Sequence, residues 1–472
     1  MRTDGIGMDQ RAEPPSGVRL LVLLNPGRMS RHWLLGIARG AERMGILAGT
    51  LELGPIWQAV QQAGPQHGAA RAQAGEQVKA LCRRERVTHV LSYTHNGIFD
   101  FGMAPDPTTG TPSGLFASLG IEHILLWSDH PNWASDGIAT TQPVRTLLNH
   151  PRHHHFVKSA VAAEEIRTVL GWANVRAMDM GEDTLTICPD DHALALEPMH
   201  DATIIMGDAT PIPERLHPFL AEDDPDVAAM MRAMLTGTLE GCARVVEAWG
   251  LDAAMAERCR GLCEALCMAR MGQPMSPFWE LCHGLGSEHA ETLAAVRCDP
   301  QRWYTMMHAL HGLTGWRRFF WPAWLGRRAD VGVYGSPGSR MGLADRDEGA
   351  WVQNKAMASV YARGACAINI NAAHDEAGMT HKPFQIASAG VVPVHHATPG
   401  LEDAFAPGEE CIVWTNGPEL LDAVRRLRAD RALRRRMGEM ARERCVREHT
   451  WEHRLGVMLE ACARPAAASA VA

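Results

Sequence analysis

The sequence is poor in lysine and contains no long apolar run. Its 472 residues include lysine only at Lys79, Lys158, Lys355 and Lys382, so arginine supplies nearly all of the positive charge. The net charge of -8 argues against a protein that binds nucleic acid through a basic surface. No stretch of 18 apolar residues occurs, and the first 17 residues lack the apolar core of a signal peptide. The sequence therefore predicts no transmembrane segment and a cytoplasmic location.

The twelve cysteines also lack the spacing of a metal or disulfide motif. Cys259, Cys263 and Cys267 fall on one face of a predicted helix, whereas zinc and iron–sulfur sites favour turn spacings such as C-x-x-C. They are interpreted as buried thiols. His150 and His153–His155 are interpreted as a polar strand edge, because adjacent residues of a strand point to opposite faces. No metal site is expected.

Short apolar runs alternate with helical patterns along most of the chain, which predicts parallel sheets covered by helices. The sequence has neither a G-x-G-x-x-G motif nor a P-loop, which argues against a dehydrogenase and a P-loop NTPase. From Asp226 to His311 the pattern is helical almost throughout, and the Trp316–Trp324 segment is a candidate hinge. The strands are predicted at residues 18–24, 87–93, 121–127, 154–157, 329–335, 365–370, 391–394 and 411–414.

One long stretch carries a more specific pattern. A strand ends in Asn, a polar loop follows, and a helix opens with Lys382-Pro-Phe-Gln385 and ends in Ala-Gly before an apolar strand. The segments are Ile368–Asn371, His374–Gln385, Ala387–Val394, Gly400–Gly408, Cys411–Trp414 and Pro418–Leu420. From Ala329 to about Leu459 this order resembles the C-terminal domain of the bacterial, CgeB-like spore-maturation glycosyltransferases, relatives of GT-B family 4. Lys382 and Gln385 stand where that family has the Arg and Glu of Arg-Thr-Phe-Glu.

The N-terminal half resembles the same family more loosely, in Leu119–Pro131 and in Gly171–Val175 followed by Gly181–Asp183. The resemblance implies an α/β protein with two Rossmann-like domains facing across a cleft (GT-B) and a helical subdomain between them. The expected divisions are a disordered tail (1–17), an acceptor domain (18–200), a helical subdomain and hinge (201–325), a nucleotide-sugar domain (326–460) and a disordered tail (461–472).

The donor site is predicted at the carboxyl ends of the C-terminal strands, where such sheets bind ligands. Lys382 precedes Pro383, and proline favours the first helical position, so a cation and free N–H groups would meet a diphosphate there. In the family pattern the residue at Gln385 accepts hydrogen bonds from ribose hydroxyls. The donor-binding candidates are Gly335, Asn371, His374, Asp375, Thr380, His381, Lys382, Phe384, Gln385 and Gly400.

The catalytic candidates are Asp129 and His130, which follow the strand at residues 121–127. Either could take the proton of the acceptor, and the alternative is that Asp129 caps the loop before Pro131.

The predicted function is metal-independent transfer of a sugar from a nucleotide-sugar to an unknown glycan, protein or lipid-linked acceptor. The nucleotide-sugar is the substrate, and no cofactor is expected. Two alternatives remain at this stage. One is a catalytically degenerate scaffold of the same fold, and the other is a nucleotide-sugar epimerase-type enzyme.

Overall fold

A computed structural model of the chain describes residues 17–106, 110, 112–207, 210–335 and 355–463. The two expected disordered tails therefore lie outside the described residues, except for Gly17 and for Ala461–Ala463, which end a helix. The chain divides into two compact units. The first is drawn from residues 1–157, 171–183 and 447–472, and the second from residues 158–170 and 184–446.

The first unit is built on a parallel sheet with a small antiparallel ribbon. Its strands are β1 (Leu20–Leu24), β2 (Leu47–Glu52), β3 (His89–Tyr93), β4 (Met103–Pro105), β5 (Pro112–Gly114), β6 (Glu122–Leu126), β7 (His153–Val157) and β8 (Val175–Ala177). Its helices are α1 (Arg28–Arg43), α2 (Leu53–Gln62), α3 (His67–Arg84), α4 (Leu115–Ser118), α5 (Pro131–Ala134), α6 (Gln142–Leu148) and, from the end of the chain, α20 (Trp451–Ala463). Short 3-10 turns occupy Gly64–Gln66 and Ile138–Thr140.

The strand order of this sheet is β2-β1-β3-β6-β7-β8, with every pair parallel. Strand β1, Leu-Leu-Val-Leu-Leu, is buried along its whole length, as expected of a strand covered by helices on both faces. The order reverses direction between β1 and β3. Sheets of this kind bind ligands beyond the carboxyl ends of the strands at such a switch point.

Helix α20 packs closely on α1 within the first unit. A Cβ atom added at Gly36 would lie 2.8 Å from the indole nitrogen of Trp451, and one added at Gly40 would lie 3.2 Å from its Cβ. The Nε of Arg43 lies 2.5 Å from a carboxylate oxygen of Glu452. The two glycines on one face of α1 therefore allow the last described helix to complete the first unit.

The second unit contains a five-stranded parallel sheet. Its strands are β9 (Ala202–Ile205), β10 (Val331–Tyr334), β11 (Ala367–Asn369), β12 (Pro393–His396) and β13 (Ile412–Trp414). Its helices are α7 (Ala160–Val169), α8 (Asp191–Ala195), α9 (Val227–Ala248), α10 (Ala253–Gly272), α11 (Phe278–His283), α12 (Ala290–Arg297), α13 (Pro300–Leu310), α14 (Arg317–Gly326), α15 (Lys355–Tyr361), α16 (His381–Ser388), α17 (Leu401–Ala404), α18 (Gly417–Ala429) and α19 (Arg431–Glu448). The 3-10 turns are Glu214–Leu216, Pro218–Ala221, Ser287–His289 and His311–Leu313.

The strand order of the second sheet is β10-β9-β11-β12-β13, so it also reverses beside its first strand. Ala202 of β9 pairs with Val331 of β10, and Thr203 pairs with Ala367 of β11. The helical segment, helices α9 to α14, therefore leaves from the carboxyl end of β9 and interrupts the second sheet. The sequence predicts this segment between the two domains, but the structure shows it inside the second unit. Strand β9, which precedes the segment, pairs with β10 and β11, which follow it, and so short a strand has no clear sequence pattern.

The unit boundaries differ from the expected ones at three further places. Residues 158–170 and 184–200, expected in the first domain, belong to the second unit, and residues 447–460, expected in the nucleotide-sugar domain, belong to the first. The α/β class with two Rossmann-like parallel sheets is confirmed. Among the helices that the structure describes, none is long and apolar enough to cross a membrane.

The histidine-rich strand is internal, so its interpretation as a polar edge is wrong. Strand β7 pairs with β6 on one side and β8 on the other, and His153 and His155 are each 1% exposed. The Nδ1 atom of His155 accepts a hydrogen bond from the Trp127 indole at 3.0 Å, and its ring lies 4.3 Å from that of Trp172. Burial lowers the pKa of His155 to about 3, so this histidine is a neutral core residue.

The cysteines and the candidate hinge are packed in the second unit. Cys259, Cys263 and Cys267 are buried on α10, which confirms them as helical core thiols. The Trp316–Trp324 segment is largely α14, with Trp321 and Trp324 buried and the Trp321 ring 5.7 Å from that of Trp414. This segment is therefore a helix that packs against the second sheet.

Candidate functional site

Polar side chains lock β11 to β12 where these two strands end. The Nδ2 of Asn369 lies 2.8 Å from the Nε2 of His395, whose Nδ1 lies 2.5 Å from the carbonyl oxygen of His396. An amide NH2 donates and a carbonyl accepts, so these partners assign the proton of His395 to Nδ1. Burial lowers the pKa of His395 to about 4, consistent with a neutral ring. The edge of the sheet beside its switch point is thus held by a fully buried network.

The loop after β11 folds back on itself through Asn371. The side-chain amide of Asn371 donates to the carbonyl oxygens of Asp375 at 3.3 Å and Gly378 at 3.2 Å. Gly378, with φ +77°, donates its N–H to the carbonyl oxygen of Pro399 at 2.9 Å. The segment 371–378, called the edge loop below, is therefore fixed to the turn that follows β12. Asn371 and Asp375, both predicted in the donor site, meet in this loop.

Asp375 forms a buried ion pair with Lys158, which precedes helix α7. The lysine nitrogen donates to a carboxylate oxygen, and each side chain is 6% exposed. His374, also predicted in the site, has its Nε2 3.8 Å from the same oxygen. Ser159 is the N-cap of this helix, and its hydroxyl accepts from the N–H of Ala162 at 3.1 Å. A capped helix thus presents a lysine to the edge loop.

The next residue of the edge loop, Glu376, anchors the loop to the helical segment. Arg270 of α10 donates to one carboxylate oxygen of Glu376, and the N–H of Phe278 donates to the other at 2.6 Å. The Nε2 of His311 lies 3.5 Å from the oxygen that Arg270 contacts. Burial would raise the pKa of Glu376, but the charge of Arg270 and these hydrogen bonds outweigh it and hold the pKa at about 2. Glu376 is therefore an anion that also caps α11.

Helix α16 carries the remaining residues of the predicted site. Its bounds place His381 and Lys382 at the first two positions and Pro383 at the third, so the helix begins two residues earlier than expected. Thr380 holds the N-cap position without a side-chain capping bond, which leaves the first N–H groups to other acceptors. Lys382 is partly exposed, whereas His381 and Gln385 are buried.

Three predicted donor residues have evident structural roles. Phe384 is fully buried, and its ring lies 5.5 Å from that of Phe405. Gly400 has φ +88° at the start of α17, a left-handed conformation that favours glycine. Gly335, with φ +91°, directly follows β10. We place Phe384 in core packing rather than in contact with a ligand.

In the first unit, Asp129 and His130 follow the carboxyl end of β6. A carboxylate oxygen of Asp129 accepts from the Tyr93 hydroxyl at 3.3 Å and from the Ser128 hydroxyl at 3.5 Å. The Nδ1 of His130 accepts the N–H of Asn132 at 3.3 Å, so His130, rather than Asp129, caps the short helix α5. Asp129 is partly exposed and His130 is buried.

Sequence reasoning missed the partners that hold the edge loop. Lys158, Arg270 and Arg317 line or support the same sheet edge but come from segments distant in the chain. Lys158 had a signal, because it is one of only four lysines and follows a strand directly. The arginines had none, since arginine is common throughout this sequence.

The C-terminal part of the chain matches a known family. Residues 316–460 match the sequence model of a family described as glycosyl transferase-like. This segment includes β10 to β13 and the edge loop, and it is shorter than half of the chain. The C-terminal part is thus glycosyl transferase-like in sequence, and the CgeB-like subfamily stays a prediction. No curated protein sequence matches the chain.

Solved structures give distant similarities over nearly the whole chain. HepE of Anabaena, in complex with UDP-glucose, is 8% identical, with a TM-score of 0.46 over 93% of this chain and 98% of that one. Sucrose-phosphate synthase of Thermosynechococcus elongatus is 12% identical, with a TM-score of 0.43 over 94% and 97%. A glycosyltransferase of Rickettsia africae is 8% identical, with a TM-score of 0.43 over 95% and 99%. The fold assignment rests on the two sheets described above.

Proposed function

We propose that this protein transfers a sugar from a nucleotide-sugar donor to an acceptor. The observation that carries the proposal is the glycosyl transferase-like match of residues 316–460. The matched segment contains the carboxyl ends of β11, β12 and β13, which is where a sheet of this order binds its ligand. The predicted residues Asn371, His374 and Asp375 lie at this edge.

The donor is proposed to bind with its diphosphate at the start of α16. The start of α16 brings the backbone N–H groups of a helix N-terminus together with the positive charge of Lys382 at its second position. A helix N-terminus with a nearby cation favours phosphate. The first nucleotide to test is UDP, because HepE is described with UDP-glucose.

The reaction breaks the bond between the anomeric carbon and the phosphate oxygen. The acceptor hydroxyl oxygen forms the new bond to that carbon, and the nucleoside diphosphate leaves with the bonding electrons. Its charge must be stabilised, which protein cations and N–H groups can do. We propose that no metal is required for this step, and that the acceptor proton passes to a carboxylate of the first unit.

Asp129 suits the role of base better than His130. Because the Nδ1 of His130 accepts a backbone N–H, the neutral ring carries its proton on Nε2 and cannot take another there. Asp129 is partly exposed, and the hydroxyl groups of Tyr93 and Ser128 donate to its carboxylate and hold it in place. We therefore assign proton removal to Asp129 and a positioning role to His130.

Lys382→Ala is expected to weaken binding of the nucleoside diphosphate by about 10- to 100-fold, the loss typical of one charge-assisted hydrogen bond. Thermal shift and calorimetric titration with UDP, GDP, dTDP, CDP and ADP, each with and without EDTA, measure the effect. At 100-fold over its dissociation constant, a ligand stabilises the native protein by about 2.7 kcal/mol.

Lys79→Ala is the matched control, because Lys79 pairs with Glu76 on the surface of α3. It should bind nucleotide as the wild type does. If no nucleotide binds the wild type, the transferase proposal fails. Equal binding by wild type and Lys382→Ala would instead remove Lys382 from the donor site. Loss of binding in EDTA would contradict the metal-independent step.

Asp129→Asn is expected to lower turnover by at least about 100-fold, the contribution typical of a general base, while nucleotide binding stays unchanged. Release of nucleoside diphosphate from the sugar nucleotide, with water as acceptor, measures turnover without knowledge of the natural acceptor. Ser128→Ala removes the hydroxyl contacts to Asp129 at 3.5 Å and to Tyr93 at 2.7 Å but keeps the Asp129 carboxylate, so it should lose far less activity. Turnover of Asp129→Asn near the wild-type rate would exclude Asp129 as the base.

A further inference from the structure

A cleft that is open to solvent, called the cavity below, lies in the second unit at the carboxyl edge of its sheet. One wall is formed by the helical segment and includes Arg270, Arg317 and Arg318. The other wall includes Asn371, in the edge loop after β11, and Thr398, two residues beyond β12. The cavity therefore lies between the helical segment and the edge of the sheet beside the switch point.

Arg317 is a buried cation in the wall of this cavity. Its residue is 7% exposed, and it occupies the first position of α14. Its guanidinium donates to the carbonyl oxygen of Pro274 at 2.9 Å and to the sulfur atoms of Met275 and Met231, each at 3.4 Å. Thioether sulfur is a weak acceptor, so one carbonyl is the only strong acceptor that these contacts give a group with five N–H donors.

The other charged contacts of the edge loop are balanced in pairs. Arg270 pairs with Glu376, and Lys158 pairs with Asp375. Within the described part of the chain, no carboxylate lies within ion-pair distance of Arg317. Burial lowers the pKa of Arg317 to about 10, which leaves the side chain cationic at neutral pH. A buried charge without a counter-charge is costly, and an anion in the cavity would neutralise it.

We propose that Arg317 anchors a phosphate-binding site in this cavity and that it binds one phosphate of the nucleotide-sugar, while Lys382 at the start of α16 binds the other phosphate of the same diphosphate; this assignment rests on the proposed function. A planar guanidinium matches phosphate through two parallel hydrogen bonds, which an ammonium group does not reproduce. The helical segment then contributes directly to donor binding, with Arg317 on one side of the cavity and the edge loop on the other.

The test is calorimetric titration of the full chain with inorganic pyrophosphate, with uridine and with the nucleoside diphosphate that binds the wild type best. Arg317→Met is expected to weaken binding of both phosphate ligands by about 10- to 100-fold and to leave uridine binding unchanged. Arg317→Lys keeps the charge but loses the planar guanidinium, and its affinity for the phosphate ligands is expected to lie between those of the wild type and Arg317→Met. Arg260→Met is the matched control, because Arg260 pairs with Glu257 on the exposed face of α10.

The outcomes separate this inference from the proposed function. Wild-type binding of the nucleotide with no change in Arg317→Met and Arg317→Lys overturns the inference and leaves the proposed function standing. Arg317-dependent binding of pyrophosphate without binding of any nucleotide supports the phosphate site and overturns the assigned ligand and the proposed function. Binding of neither ligand overturns both. If Arg317→Met does not fold, Arg317→Lys decides between these outcomes.

Discussion

Replacement of Lys158 by methionine is expected to lower the free energy of unfolding by about 3–5 kcal/mol. The change leaves the carboxylate of Asp375 buried without its counter-charge, while methionine retains most of the volume of the lysine chain. Both side chains of the pair are 6% exposed, so water cannot take over the lost contact. Urea unfolding, followed by tryptophan fluorescence and checked for a constant m-value, measures the loss.

A double-mutant cycle separates the pair from the packing of its members. Asp375→Leu alone should cost a similar amount, and the double variant Lys158→Met/Asp375→Leu should be more stable than the sum of the single losses predicts, since no lone charge remains. Lys79→Met, which breaks a surface pair with Glu76, should cost less than about 1 kcal/mol. Additive losses in the cycle would show that Lys158 and Asp375 are not coupled.

Gly378→Ala is expected to destabilise the protein by roughly 4 kcal/mol, which is large for the addition of one methyl group. At φ +77° any other residue is strained, and the new Cβ atom would lie 2.2 Å from the backbone oxygen of Lys158. A backbone oxygen cannot rotate away as a side chain can, so the edge loop must move. The same urea titration measures the effect.

Gly408→Ala is the matched control for this prediction. Gly408 has a similar φ of +84°, and no atom lies within 4 Å of its added Cβ. The free energy of unfolding of Gly408→Ala should therefore fall only by the cost of the left-handed backbone, about 1–2 kcal/mol. Equal losses in the two variants would mean that the contact between the edge loop and Lys158 does not constrain the structure.

The sequence predicted those parts of the fold that are specified locally. Strands of a parallel sheet are buried on both faces, so β1 and β6 stand out as short apolar runs. Helix α18 stands out through its amphipathic pattern.

Strand β9 could not be predicted in the same way. It has four residues, and its partner β10 follows only after the whole helical segment, so no local pattern connects Ala202 to Val331. The expected hinge failed for a related reason. Tryptophans at Trp321 and Trp324 signal burial, but a sequence does not show against which surface they are buried.

Only the edge loop of the candidate site could be predicted from the sequence. Asn371 and Asp375 follow a predicted strand, so their place at the sheet edge could be inferred from the chain alone. Their partners could not. Lys158 lies 217 residues before Asp375, and Arg270 lies 106 residues before Glu376. Ion pairs at such separations follow from tertiary packing, which a single sequence does not reveal.

The interleaving of the two units has a consequence for synthesis of the chain on the ribosome. Strand β9 emerges long before β10 and β11 exist to pair with it, and α1 emerges long before α20, whose Trp451 packs on Gly36. Many multidomain proteins fold one domain at a time from the N-terminus during translation. Here the second sheet is incomplete from the synthesis of β9 until that of β13, and the first unit lacks α20 for longer still, so the nascent chain must keep an unfinished sheet from aggregating while about 200 residues are added.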